Sequence, residues 1–161
     1  MSAALDASLV LPPDGRQSPT ALAVARGTRR LLGGLGFATV TELPLASGRR
    51  ADIVALAPDG AVWIVEVKSS VEDFRADAKW PDYRLHCDRL FFAIPQHVPA
   101  DIMPDEAGLI LADAYGAEIL RHPGEHRLPA ATRKALLLRF AHACAQRLHA
   151  LADPEAVAGG F

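Results

Sequence analysis

The stretch Val62-Trp63-Ile64-Val65 is apolar at four consecutive positions and then turns to Glu66-Val67-Lys68. A strand with one wet face alternates apolar and polar residues, so an unbroken apolar run marks a strand covered on both faces. The chain must therefore place this strand in the middle of a sheet and supply layers above and below it. Residues i and i+2 of a strand point to the same face, which makes Glu66 and Lys68 neighbours at its charged end.

The flanking sequence supplies the rest of the sheet. Phe37–Leu45, Arg50–Ala57 and Ala61–Lys68 are β-like runs separated by Ala-Ser-Gly and Pro-Asp-Gly turn signals, and predict a meander of antiparallel hairpins. Pro44 has no amide to give to a ladder, which puts the first run at an edge or its proline at a strand end. Leu90–Ile94 is a fourth strand. The helix-forming stretch before it is long enough for a right-handed parallel crossover from the third.

Helices are marked by their caps. Ser18-Pro19 reads as an N-cap followed by proline at N1, opening a helix over 19–33 that the glycines 33, 34 and 36 end. Ser70 with Asp73 is a capping box opening a helix at 71. Trp80-Pro81 interrupts that helix, which bends or restarts there and reaches Cys87. Gly108–Ala114 and Ala117–Arg121 predict a hairpin around Tyr115-Gly116. A long amphipathic helix over 131–152 carries Leu136, Phe140, Ala143 and Leu148 near its apolar side. Residues 1–17 read as a loose leader and 153–161 as a fraying tail, leaving 18–152 as one domain.

Composition narrows the function. With 161 residues, half of them apolar, the chain has material for one core and not for two domains. A net charge of −2 argues against a protein that coats DNA by bulk electrostatics, so any nucleic-acid contact must be local. Cys87 and Cys144 stand far apart outside any CxxC spacing, which suggests neither a disulfide framework nor a structural zinc site and reads as two small core residues. His86, His97, His142 and His149 form no zinc-binding spacing. No apolar run is long enough to span a membrane and no signal peptide is legible, so a soluble cytoplasmic protein is expected.

The second hairpin carries the chemistry. If Pro58-Asp59-Gly60 forms a three-residue loop, Leu56 pairs with Val62, and stepping back brings Asp52 opposite Glu66. A loop of two or four residues would oppose Asp52 to Val67 and split the carboxylates across the sheet. Directly opposed Cβ atoms lie roughly 5 Å apart, where like charges destabilise a sheet. A hard divalent cation with oxygen ligands, Mg²⁺ or Mn²⁺, compensates that repulsion, and Lys68 helps from one pair beyond. Carboxylates, metal and lysine together suit phosphodiester hydrolysis. A buried interstrand ion pair is the plainer reading, and the second carboxylate weighs against it.

Arg-Ala-Asp52-Ile-Val followed by Glu66-Val67-Lys68-Ser69-Ser70, on a hairpin between two helices, resembles the PD-(D/E)XK nuclease core. Asp73-Phe74, Asp77, Lys79-Trp80-Pro81-Asp82-Tyr83, Cys87-Asp88 and Phe92-Ala93-Ile94 are similar to the MmcB-like bacterial DNA-repair proteins of that superfamily, over residues 19–122. The resemblance implies an α/β, restriction-endonuclease-like αβββαβ core, a mixed central sheet flanked by helices, here with an added C-terminal hairpin and helix. It implies metal ligation at Asp52, Glu66 and the Val67 carbonyl, Lys68 as catalytic cation, and a DNA substrate in repair. Ala51 stands where the family pattern often has proline. Some members carry an acidic ligand on the first helix, and residues 19–33 hold no Asp or Glu. Glu42 is the candidate extra acid, because a three-residue Ala-Ser-Gly loop sets it opposite Asp52.

Other candidates are weaker. Arg26, Arg29 and Arg30 share a helix face and are placed to track a phosphate backbone, though a solvated face explains them more simply. Lys79 and Tyr83 follow the motif and are candidates for nucleic-acid contact, with surface pairing and packing as their ordinary roles. His122 and His126, with Arg121 and Arg127, form a loop that solvation explains. The alternative to an enzyme is a catalytically silent nucleic-acid- or partner-binding module that keeps the fold.

Overall fold

A computed structural model describes residues 17–158. The expected leader lies outside the described residues except for Gln17, as do the last three residues of the expected tail. The elements run α1 (Pro19–Gly34), β1 (Ala38–Pro44), β2 (Arg50–Leu56), β3 (Val62–Val67), α2 (Val71–Ala76), a 3₁₀ helix (Trp80–His86), β4 (Arg89–Ile94), a short 3₁₀ turn (Ala100–Ile102), β5 (Gly108–Ala112), β6 (Ala117–Arg121), α3 (Ala130–Ala152) and α4 (Pro154–Ala158). The αβββαβ order expected from the sequence is present, followed by the hairpin and the long helix.

One six-stranded sheet has the order β1-β2-β3-β4-β5-β6. The β1–β2, β2–β3 and β5–β6 pairs are antiparallel, and β3–β4 and β4–β5 are parallel. The apolar strand β3 is central, and β1 is an edge that ends on Pro44. Both hairpin turns of the meander are three-residue loops. Leu45 N donates to Arg49 O at 2.7 Å around Ala46-Ser47-Gly48, and Ala57 N donates to Ala61 O at 2.9 Å around Pro58-Asp59-Gly60. Gly48 and Gly60 have φ of +86° and +92°, the left-handed conformation such loops need at their last position.

The two faces are covered from opposite ends of the chain. Val24 and Leu32 of α1 pack on Ile53, Val65 and Phe91. Leu136 and Phe140 of α3 pack on Val40, Val54 and Ile64. A third cluster gathers Phe92, Ile94, Met103 and Leu109, with Phe74 and Trp80 meeting the Phe92 ring edge-on at 5.6 and 5.5 Å. Gly27 is the contact point of α1 with the β5–β6 turn, where a Cβ would stand 1.9 Å from the Asp113 carbonyl oxygen.

A buried ion pair fixes α3 at the start of β4. Asp88 is 2% exposed and accepts from Val62 N (2.7 Å), Leu128 N (2.9 Å) and both Arg133 Nη atoms (2.7 and 2.8 Å). Burial raises its pKa, but hydrogen bonds from Arg133 and the two amides outweigh that and bring it down to about 2.

Three expectations need correction. Of the two courses expected at Trp80-Pro81, the chain restarts there and does not bend, but the first helix ends sooner and the second is not α: α2 stops at Ala76, with Asp77 N reaching back only to Phe74 O, and the chain resumes as a 3₁₀ helix over Trp80–His86 in which Asp82 N donates to Lys79 O. Pro81 supplies no amide for an α-helical bond there. The tail after Asp153 begins with a short helix, because Pro154 pre-sets the first φ and Ala156 N closes a turn on Asp153 O. Leu148, placed by its periodicity near the apolar side of the last helix, is 64% exposed, since it lines the open cleft and not the packed core. Among the described residues no helix is long and apolar enough to cross a membrane.

Candidate active site

The β2–β3 ladder pairs Leu56 with Val62, Ala55 with Trp63, Val54 with Ile64 and Ile53 with Val65. The next step in that register sets Asp52 against Glu66, and there the backbone pairing stops. Side chains take over the bonding. Val67 N donates to Asp52 Oδ2 at 2.8 Å, and Asp52 N donates to Glu66 Oε1 at 3.1 Å. Each carboxylate thus holds the strand that carries the other.

The same level is irregular in β1. Glu42, level with Asp52 between the Thr41–Ile53 and Leu43–Ala51 pairs, has φ of +53°. A left-handed residue turns the strand, and the inward alternation shifts with it. Val40 and Leu43, three apart, join one core cluster, as do Ala51 and Val54 across from them. The ladders from β1 to β3 are therefore interrupted at the level where the acids sit, while β3 stays paired with β4 through Glu66 and Val67.

Burial and mutual repulsion set the electrostatics. Glu66 is 3% exposed, and its pKa is raised well above the usual range, first by burial and then by the charge of Asp52. Burial also raises Asp52, opposed by its bond from the Val67 amide.

Lys68 is 6% exposed and faces the same cleft. Its Nζ donates to Asp77 Oδ2 at 2.7 Å, while its amide ties β3 to Ala93 O of β4. Asp77 enters from the C-terminal end of α2, and at the other end Asp73 holds the β3–α2 loop by accepting from Ser69 N at 3.1 Å. The cleft has a volume of about 1480 Å³, and α1, β1 and the far end of α3 complete its walls.

The other expected residues divide. Glu42 lines the cleft, but its carboxylate engages Arg50 and Gln17. Arg26 and Arg29 also line it, with Arg29 Nε donating to Thr39 Oγ1 at 2.9 Å. Arg30, expected to join them, turns away and donates to Tyr115 O in the β5–β6 turn. Tyr83 is 7% exposed and donates its hydroxyl to Arg50 O, bracing β2 beneath the cleft. Lys79 stands outside the cleft, in an adjoining hollow of about 440 Å³ that shares Lys68, Asp73 and Asp77 with it.

Sequence reasoning missed two site residues. Arg147 reaches from α3 to the carbonyls of Thr41 and Glu42, and nothing in a helical pattern distinguishes it from other surface arginines. Asp77 had one signal, its place in the stretch that resembles the repair proteins, without a role attached to it.

Oxygen ligands at Asp52 and Glu66 fit a hard divalent cation, and their buried repulsion is what such a cation would relieve. Among the described residues no group of three or more His, Cys, Asp or Glu side chains is arranged to hold a metal.

A protein of unknown function from Silicibacter pomeroyi superposes with a TM-score of 0.83 at 46% identity, covering 86% of this chain and 95% of that one. A repair endonuclease from Pyrococcus abyssi aligns at a TM-score of 0.40 and 15% identity over 65% of this chain and 50% of its own, too slight a likeness to carry an argument. No curated protein matches. The model of a family described as DNA repair protein MmcB-like matches residues 10–155. The chain belongs to the MmcB-like family of DNA repair proteins.

Proposed function

We propose that the protein is a metal-dependent nuclease that hydrolyses DNA phosphodiesters during repair in the cytoplasm. The observation that carries this reading is the mutual bracing of Asp52 and Glu66 at the end of the β2–β3 ladder, with Lys68 buried in the same cleft. Like charges so placed destabilise the fold unless something positive joins them.

Asp52, Glu66 and the Val67 carbonyl would hold Mg²⁺ or Mn²⁺. When bound, the cation supplies Lewis-acid stabilisation of the phosphoryl oxygens and lowers the pKa of water. Hydrolysis joins a water oxygen to phosphorus and breaks the bond to one sugar oxygen, which leaves with a proton. Lys68 places a fixed positive charge where negative charge builds on phosphorus. Arg26 and Arg29 on the α1 wall and Lys79 in the adjoining hollow hold the neighbouring backbone phosphates.

A binding module without catalysis is the second reading. It is favoured by the contact of Lys68 with Asp77 and by the lack, among the described residues, of a third metal-binding side chain. A nuclease assay with Mg²⁺ or Mn²⁺ on single-stranded, duplex, nicked and branched DNA separates the two. Cleavage by the wild type that disappears in Asp52→Ala is the expected result. Binding without cleavage under either metal hands the protein to the second reading.

A further inference from the structure

Lys68 needs its ammonium held in one place, and its own four-carbon stem does not do this. Asp52 and Glu66 are poorer anchors, because Asp52 Oδ2 and Glu66 Oε1 already accept from the amides of Val67 and Asp52. Asp77 is differently built. Its Oδ2 accepts from Lys68 Nζ at 2.7 Å, its Oδ1 accepts from Lys79 N at 3.1 Å, and its own amide donates to Phe74 O at 3.1 Å. With both oxygens and the backbone engaged, the carboxylate cannot rotate without breaking a bond. Phe74 in turn sits edge-on against the buried Phe92, so the anchor is tied to the core. Asp77 also lies on the boundary between the cleft and the adjoining hollow, lining both.

We propose that Asp77 is a positioning residue that fixes the Lys68 ammonium beside the paired carboxylates, so that α2 sets the location of the cation on β3. The inference rests on the nuclease reading above. It assigns Asp77 no contact with substrate or metal, and its effect on the reaction passes through Lys68.

Asp77→Asn keeps the shape and an oxygen for the Lys79 amide but loses the negative charge. A displacement of about 1 Å in a catalytic group lowers turnover by roughly 10²-fold, and that fall in kcat is expected here with KM little changed. In a Lys68→Met background the same substitution should have no further effect, because the group it positions is gone. Mg²⁺ affinity, measured by calorimetry, should be nearly that of the wild type. Independently of turnover, Lys68 in metal-free protein should react faster with acetic anhydride after Asp77→Asn, read by peptide mass spectrometry. Unchanged kcat and unchanged Lys68 labelling would overturn the assignment, and so would an equal loss of rate in the Lys68→Met background. Loss of Mg²⁺ binding would make Asp77 a ligand instead. Wild-type protein that never cleaves defeats the nuclease reading and this role with it. Wild-type cleavage that Asp77→Asn leaves intact defeats this role alone.

Discussion

Asp88 and Glu66 are buried to almost the same extent, 2% and 3% exposed, at opposite ends of the central strand β3, yet they have contrary electrostatics. Asp88 meets four donor atoms, two of them on one guanidinium, and its pKa falls to about 2. Glu66 meets one amide and another carboxylate, and its pKa rises. Burial alone therefore says little about what a carboxylate is for. Asp88 has its counter-charge built into the chain and fastens α3 to the sheet. Glu66 lacks a full one, and that deficit is what the proposed cation would fill.

The contrast is broken most forcefully at the satisfied end. Arg133→Met leaves Asp88 buried with only its two amide donors, and a loss of about 3 kcal/mol is expected in urea unfolding. A loss under about 1 kcal/mol would mean that Arg133 acts as an ordinary surface residue.

At the unsatisfied end, added cation should have the opposite effect. Mg²⁺ at a hundredfold excess over its dissociation constant should stabilise the wild type by about 2.7 kcal/mol, and Glu66→Gln by clearly less at the same concentration. Equal rises in Tm would show that the cation does not bind between these carboxylates.

The smallest effect is on pH dependence. In metal-free protein the raised pKa of Glu66 means that the folded state holds a proton that the unfolded state has released, above the ordinary glutamate range. Stability from this group is present at low pH and lost as pH rises through the folded value. The depressed pKa of Asp88 works the other way, its contribution being lost as pH falls toward about 2. Thermal melts across pH should therefore lose the decline on the alkaline side in Glu66→Gln while keeping the acid one. A wild-type decline that survives this substitution has another source.

The half of this contrast made by local sequence was readable in advance. The apolar run of β3 declared a covered strand. The Pro-Asp-Gly loop, once taken as three residues, set the register that leads from Leu56–Val62 to Asp52 and Glu66. Ser18 and Ser70 cap the helices they were expected to cap, accepting from Ala21 N and Asp73 N. Such signals act over a few residues, where steric and hydrogen-bonding rules decide. Asp88 and Arg133 lie 45 residues apart, and Arg147 finds Thr41 across 106. Pairs of that kind leave no periodicity, and only the closed fold shows which charge meets which. The left-handed Glu42 was equally hidden, because its conformation comes from the interrupted sheet and not from a residue type that favours it.

The edge strand β1 gains something from that interruption. An open sheet edge offers carbonyls and amides to any strand that drifts against it, the usual start of association between chains. Here the guanidinium of Arg147 sits on the Thr41 and Glu42 carbonyls, and the turn at Glu42 bends the strand out of line. An incoming strand would have to displace a charged group and straighten β1 before pairing with it. The turn and the arginine that border the cleft thus also guard this edge of the sheet against association between chains.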